Sequence, residues 1–303
     1  MSPAQSPSDL FASAPSAEPL RHNRPILALA TSGAWCSVGL AWHDPHAPGL
    51  QPGGATAADR TPGLVGGLQS ACASELAGQA HSQRVLPMAR DLLEQAGLRM
   101  ADIGLIAFDA GPGSFTGLRI GCGLAQGLAL GVGCPVVPIS SLRALAWPHR
   151  RVRVLSATDA RMGEVYYAQW GPAVVDDAAA ARLADEGLAV GPPADLAALI
   201  RWIALAHAAD RLANPTGVPA GWVAAGDAFA RYPELAEQAR DQGARVLADA
   251  FPRADTIAEC AALAWADGRV QSPDDAVPIY VRNKVALDVD EQRALRQARD
   301  AAR

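Results

Sequence analysis

Lysine is almost missing from this chain: Lys284 is the only one in 303 residues, and the other basic residues are arginines scattered without a block. A Gly-Lys-Ser/Thr phosphate loop is therefore excluded, because the ammonium that reaches the β- and γ-phosphates is absent. With a net charge of −5 and no basic stripe, the sequence carries no electrostatic footprint for nucleic acid, so any RNA would be held by a partner. Cys-x-x-Cys pairs are also absent. The five cysteines, Cys36, Cys72, Cys122, Cys134 and Cys260, are odd in number and widely spaced, which fits reduced thiols acting as small core hydrophobes in a cytosolic protein. No unbroken apolar run is long enough to span a bilayer. The stretch from Met1 to Asn23 is rich in Ser, Pro and Ala and lacks the basic and apolar regions of a signal peptide, so it reads as a disordered leader. Half the residues are apolar, enough for a soluble globular protein of two domains.

What is present is glycine, concentrated in Gly111-Pro-Gly-Ser-Phe-Thr-Gly-Leu-Arg-Ile-Gly121 and running on to Gly131. This reads as strand, tight turn, helix: Ile103 to Ala110 is apolar, Gly111 and Gly113 admit backbone angles closed to other residues, and Ser114 or Thr116 can cap the helix. Two uses of such a turn compete. One is an anion cradle, since amide groups at a helix N-terminus carry partial positive charge. The other is packing. Gly117, Gly121 and Ala125 recur at steps of four, as do Gly123, Gly127 and Gly131, and such rows let another backbone approach closely. A mid-helix glycine costs roughly 1 kcal/mol relative to alanine, so a compensating contact is expected. The local chemistry favours packing.

Around this stretch the pattern alternates strands with helices, as in an α/β layer architecture. Arg24 to Ala30 and Trp35 to Trp42 form a hairpin, followed by a Pro/Gly-rich loop leading to a further strand. The spacing predicts an amphipathic helix from His81 to Ala96, closed by Gly97, with Pro87 delaying its start or kinking it. A strand covers Pro135 to Ile139. A second hairpin, Val152 to Trp170, lies over the first with a one-residue offset, which suggests two related lobes. Beyond it, Asp195–Ala209, Pro233–Arg240 and Asp255–Asp267 look helical, Gly221–Gly226 looks like a strand, and Asp288–Arg303 reads as a solvated helix or tail.

Taken together, these motifs resemble the TsaB family, the non-catalytic subunits of the bacterial machinery that installs N6-threonylcarbamoyl on adenosine 37 of tRNAs reading codons that begin with A. The resemblance rests on Ile26 to Ser32 with Cys36-Ser-Val, His81-Ser-Gln with Leu86-Pro-Met, the glycine stretch, Ser140-Ser-Leu, Asp159-Ala-Arg-Met-Gly-Glu-Val-Tyr and Pro278-Ile-Tyr-Val-Arg. It implies two lobes of the actin-like ATPase, or ribonuclease-H-like, type, with mixed sheets flanked by helices. The expected divisions are a leader at 1–23, a partner-binding lobe at 24–143, a degenerate lobe at 144–275 and a C-terminal segment at 276–303. One departure matters: Ala30-Thr31-Ser32 stands where the family usually has an acidic residue that helps organise metal and phosphates. Thr31, Ser32, Gly111, Gly113 and Ser114 then remain as a vestigial nucleotide turn, with no cofactor expected.

The rival reading is an enzyme, either the catalytic paralogue or a metal-dependent glycoprotease-like protein. The paralogue carries a His-x-x-x-His metal pair where this sequence has Ser141 and Leu145, which do not make such a site. The six histidines show no metal spacing, and Ser114 lacks a nucleophile elbow. Asp159 and Glu164 flank a turn and read as a cap and a solvated strand residue. Function then falls to contact. The resemblance implies a heterodimer with the TsaD-like catalytic paralogue, a TsaE-like P-loop ATPase docking on it, a homodimer when the chain is alone, tRNA met only indirectly, and a cytoplasmic location without membrane. The expected interface is His81, Val85, Met88, Ala89 and Leu92 on the first helix, with Leu118, Gly121, Leu124, Ala125 and Leu128 on the glycine helix.

Overall fold

Five apolar residues without a break, as a strand covered on both faces requires, make β1 (Ile26–Ala30), and all five are buried. The structure, a computed structural model, describes residues 24–43, 68–78, 80–171, 188–213 and 221–281, with only the backbone of His43 and of 209–213. The leader, His46 and the segment from 282 with Lys284 lie outside the described residues. β2 (Trp35–His43) returns antiparallel to β1, pairing Ile26 with Ala41 and Ala30 with Ser37, and β3 (Leu68–Leu76) pairs with β2 at the edge. On the other side of β1 lie β4 (Leu105–Gly111) and β5 (Val136–Ser140), both parallel to it. The sheet order is β3-β2-β1-β4-β5.

The second sheet repeats this winding. β6 (Val154–Arg161) and β7 (Glu164–Trp170) form the second hairpin; β8 (Ala189–Gly191) extends it on the antiparallel side, and β9 (Trp222–Ala225) and β10 (Ala244–Leu247) on the parallel side. Its order, β10-β9-β6-β7-β8, is the first order read with β6 in the place of β1. The repeated hairpin is thus the visible part of a duplicated five-stranded topology. β8 and β10 escape a sequence reading because strands of three and four half-buried residues show no periodicity.

Alternation decides what covers each face of the first sheet. Leu27 and Leu29 point to one side, packed under α1 (His81–Gln95) and α2 (Phe115–Val132). Ile26 and Ala28 point to the other, under α7 (Ala254–Ala266). α7 comes from the sequence expected to build the second lobe, yet it packs on the first sheet. Gly39 makes room for it: a Cβ there would fall 2.6 Å from the Ala254 carbonyl carbon, and the Ala254 N–H donates to Ser37 Oγ at 3.0 Å. Pro87 neither delays nor ends α1, which begins at His81. The proline removes the partner of the Gln83 carbonyl, and Gln83 lies on the solvent side, where water can replace it.

Between the sheets lies α3 (Ser141–Ala146), buried along its whole length. Ala144 joins the core of the first sheet, Leu142 and Leu145 that of the second. On the second sheet α4 (Pro193–Ala213) and α6 (Pro233–Asp241), with the short α5 (Ala228–Arg231) before it, cover Leu155 and Trp222. All five cysteines are free, four of them buried. Burial pushes the thiols of Cys36 and Cys134 up to about 11 and that of Cys260 to about 12, values at which thiolate chemistry is suppressed.

The expectation about membrane-spanning runs stands, since Thr116, Arg119 and Gln126 interrupt α2. At 18 residues and mean hydropathy 1.2, α2 passes for a spanning helix by length and composition only. Its place against β4 accounts for one apolar face. The other bears on function.

Candidate functional site

Thr31, Ser32, Gly111, Gly113 and Ser114, taken from two distant stretches, meet where β1 and β4 end side by side. The Ser114 N–H donates to the Ser32 carbonyl at 2.6 Å, and Ser114 Oγ accepts from the Gly117 N–H at 3.4 Å, capping α2. The buried Thr31 hydroxyl donates to the Gly117 carbonyl at 2.8 Å. The start of α2 therefore rides on the backbone of the Thr31-Ser32 turn, which explains one glycine row. A Cβ on Gly117 would lie 2.0 Å from the Thr31 carbonyl oxygen, one on Gly121 2.5 Å from Thr31 Oγ1, and one on Gly113 2.6 Å from the Ser32 carbonyl oxygen. Close packing is the use of this row, and its partner is the chain's own first turn.

Beneath the turn sits a residue that the sequence reading passed over. Asp109 is almost wholly buried in β4, where Oδ1 accepts the Ser141 hydroxyl and the Gly111 N–H (3.2 Å) and Oδ2 accepts the Ser32 N–H (3.3 Å). One carboxylate so ties β1, β4 and α3 together. Its signal was available: a single acid in an otherwise apolar strand, Leu-Ile-Ala-Phe-Asp-Ala-Gly. Burial pushes its carboxyl above the ordinary range, against the lowering effect of those donors.

Two of the turn's amides and the group behind it work against a phosphate. The Ser114 and Gly117 amides are directed to Ser32 and to Ser114 itself, and the group behind the turn is a carboxylate. Nor does the place of the paralogue's histidine pair fit a metal. Ser141 is committed to Asp109, and Leu145 packs 3.3 Å from where a Cβ on Gly226 would stand. Among the described residues no three His, Cys, Asp or Glu side chains are grouped to hold an ion. In the second lobe Asp159 caps its turn, accepting the Arg161 N–H at 3.0 Å while its own N–H donates to Asp227 Oδ1 at 2.9 Å.

Because the folded Asp109 binds its proton more tightly than the unfolded chain does, its contribution to stability is fully present below the unfolded value of about 4 and is lost as pH rises through the folded one. Asp109→Asn is expected to remove that dependence. It should also cost about 1–2 kcal/mol throughout, because the amide leaves the Ser32 N–H without an acceptor. Urea midpoints of both proteins between pH 4 and 8 provide the check, and parallel curves would contradict the assignment.

The expected interface is largely inside the molecule. His81, Val85, Met88, Ala89, Leu92, Leu118, Gly121 and Ala125 are all buried within the chain itself, on the stripes of α1 and α2 that face the sheet. The helical period identified the stripe correctly, but the sheet claims it. Leu124 and Leu128 are only partly buried. The outward side of α2 is instead the second glycine row: Gly123, Gly127 and Gly131 are exposed, and a Cβ on any of them would meet no atom of the described residues within 4 Å. Along α2 the exposed side is also apolar at Phe115 (43%) and Leu130 (59%), and on α1 Leu86 is 44% exposed. At the N-terminal end of α2 the Arg119 guanidinium lies 3.8 Å from the Phe115 ring centroid, and Tyr280 lies beside both. The segment carrying Tyr280 is tied down by the Ile279 N–H to the Ala110 carbonyl at 2.7 Å and by Gln126 Nε2 to the Ala276 carbonyl at 3.1 Å.

Comparison with known proteins places this geometry in a lineage. The family model described as TsaD, tRNA N6-adenosine threonylcarbamoyltransferase, matches residues 72–286. The chain is 34% identical over 268 residues to the tRNA threonylcarbamoyladenosine biosynthesis protein TsaB of Escherichia coli, covering 86% of this chain and 96% of that one. It is 44% identical to the tRNA N6-adenosine threonylcarbamoyltransferase of Bordetella avium, but over 68 residues, 22% of this chain and 20% of the other. Among solved structures, a Pseudomonas aeruginosa protein with similarity to the peptidase YEAZ matches with a TM-score of 0.60 at 31% identity, covering 86% of this chain and all of that one.

Proposed function

Because the chain belongs to the TsaB family of tRNA threonylcarbamoyladenosine biosynthesis proteins, we propose that it serves N6-threonylcarbamoylation of adenosine 37 as the non-catalytic scaffold that heterodimerises with a TsaD-like catalytic paralogue. The observation that carries this reading is the open row Gly123, Gly127, Gly131 on an apolar helix face. Each glycine forgoes about 1 kcal/mol of helix propensity, and among the described residues nothing uses the space it leaves. A facing helix would use it, since small residues at a crossing bring two helix axes toward the short end of the 8–10 Å range. Leu124, Leu128 and Leu130 would flank the crossing, with Leu86 of α1 extending it. The same face pairs with itself when the paralogue is absent, and the heterodimer offers the platform on which a TsaE-like P-loop ATPase docks. Chemistry on the tRNA takes place in the cytoplasm, at the paralogue's metal; the Asp109–Ser141 bond and Leu145 give this chain no equivalent.

Reconstitution tests the reading. The purified chain alone should transfer no threonylcarbamoyl, and adding it to the paralogue and the ATPase should restore modification of adenosine 37. Transfer by the chain alone would assign it catalysis instead, and unassisted turnover by the other two would remove the scaffold role.

A further inference from the structure

The exposed stripe of α2 does not end at Gly123. Followed toward the N-terminus in the same steps of four, it reaches Arg119 and then Phe115, so that Phe115, Arg119, Gly123, Gly127 and Gly131 form one exposed row. Arg119 is the only charged residue of α2, and its place is about 6 Å along the helix axis from Gly123. Its side chain is held in position. The guanidinium lies 3.8 Å from the Phe115 ring centroid, Nε donates to the Tyr280 hydroxyl at 3.4 Å, and the two rings stand 6.2 Å apart at 45°. Tyr280 is steadied in turn by the bond from the Ile279 N–H to the Ala110 carbonyl. With Nε engaged and one face against a ring, the edge that remains is the fork of Nη1 and Nη2, which matches the two oxygens of a carboxylate. Among the described residues no carboxylate pairs with Arg119.

A helix that follows the glycine row therefore meets a cation within about one turn of the closest contact. Against an apolar surface that guanidinium would be desolvated with nothing in return; an acid opposite it offsets the loss and fixes the register of the two helices. A second copy of this chain cannot supply the acid from its own α2, which contains no Asp or Glu. A phosphate backbone, the other group that a guanidinium forks onto, is held by several cations at once, and the row offers one. We propose that Arg119 is the specificity determinant of this face: it pairs with an Asp or Glu carboxylate of the catalytic paralogue one turn beyond the glycine crossing, and so favours the heterodimer over two copies of this chain. Placing the paralogue on the row rests on the function proposed above; the call for an acid opposite Arg119 comes from the row itself.

The test uses the full chain, titrated calorimetrically with the paralogue and followed alone by sedimentation equilibrium. Arg119→Glu should weaken the heterodimer about a hundredfold and Arg119→Gln about tenfold, with Arg119→Lys, which keeps the charge but loses the fork, in between. Self-association should be unchanged or tighter in Arg119→Gln, because no acid is lost there. Urea midpoints should stay at the wild-type value in all three variants. Exchanging each surface acid of the paralogue for arginine in turn should yield one variant that binds wild type poorly and binds Arg119→Glu well. Wild-type affinity in Arg119→Glu, an equal loss in self-association, or no rescuing exchange would overturn the proposal and leave the scaffold standing. Failure of the wild-type chain to bind the paralogue, or normal binding by Gly127→Leu, would instead strike the docking face itself, and this proposal with it.

Discussion

Gly127→Leu is expected to leave the chain folded, to raise its thermal stability slightly, and to weaken co-assembly with the catalytic paralogue at least a hundredfold. The first two effects follow from open space: a Cβ at 127 meets no atom of the described residues within 4 Å, and leucine is the better helix former by somewhat under about 1 kcal/mol. The third follows from packing. An isobutyl group at the centre of a small-residue row holds a facing helix off by an ångström or more, and dispersion contacts fall away steeply over such a gap. A hundredfold loss corresponds to about 2.7 kcal/mol, well within what a central interface position can carry. Gly127→Ala, a single methyl, should stabilise the fold and weaken assembly far less. Size-exclusion co-elution and titration calorimetry read the outcome. A leucine variant that assembles like wild type would move the interface off this row.

The largest effect on the fold is expected from Gly117→Ala, one helix face away. Its Cβ would stand 2.0 Å from the Thr31 carbonyl oxygen, a backbone atom that can yield only by moving the end of β1. The methyl that stabilises an open helix position should therefore destabilise this one by about 3 kcal/mol, the upper range for overpacking. Gly226→Ala should behave alike for two reasons: its Cβ would meet the Ala157 carbonyl oxygen at 2.0 Å, and its φ of +122° lies where side chains are strained. Urea unfolding of Gly117→Ala and Gly127→Ala side by side gives the cleanest reading, because the same substitution in one helix should move the midpoint in opposite directions. Midpoints that move together would mean that Gly117 does not touch the Thr31 turn.

Much of the architecture was legible in the residues. The strand–turn–helix reading of 103–131 stands, with Ser114 as cap and Gly133 in the left-handed conformation closing α2. Both hairpins fall where the alternating apolar runs put them, and the second was enough to suggest a duplication that the strand order makes complete. The misses have physical causes. β8 and β10 are too short to carry a period. Asp109 escapes a reading centred on the acid missing at Ala30, because the carboxylate sits one strand over, buried by partners that come from residues 32, 111 and 141.

The glycine helix shows most plainly where the division lies. By itself the sequence determined that 115–132 is a helix with two rows of small residues and that such rows exist to admit a close neighbour, because backbone propensity and a repeat of four are local properties. Which row faces the sheet is not local. It is decided by the direction in which β4 delivers the chain to its turn, and by the Thr31 carbonyl waiting there, 86 residues earlier than Gly117. Only once the tertiary structure had claimed Gly117, Gly121 and the apolar stripe of α1 for the core did Gly123, Gly127 and Gly131 stand out as the open face proposed for a partner.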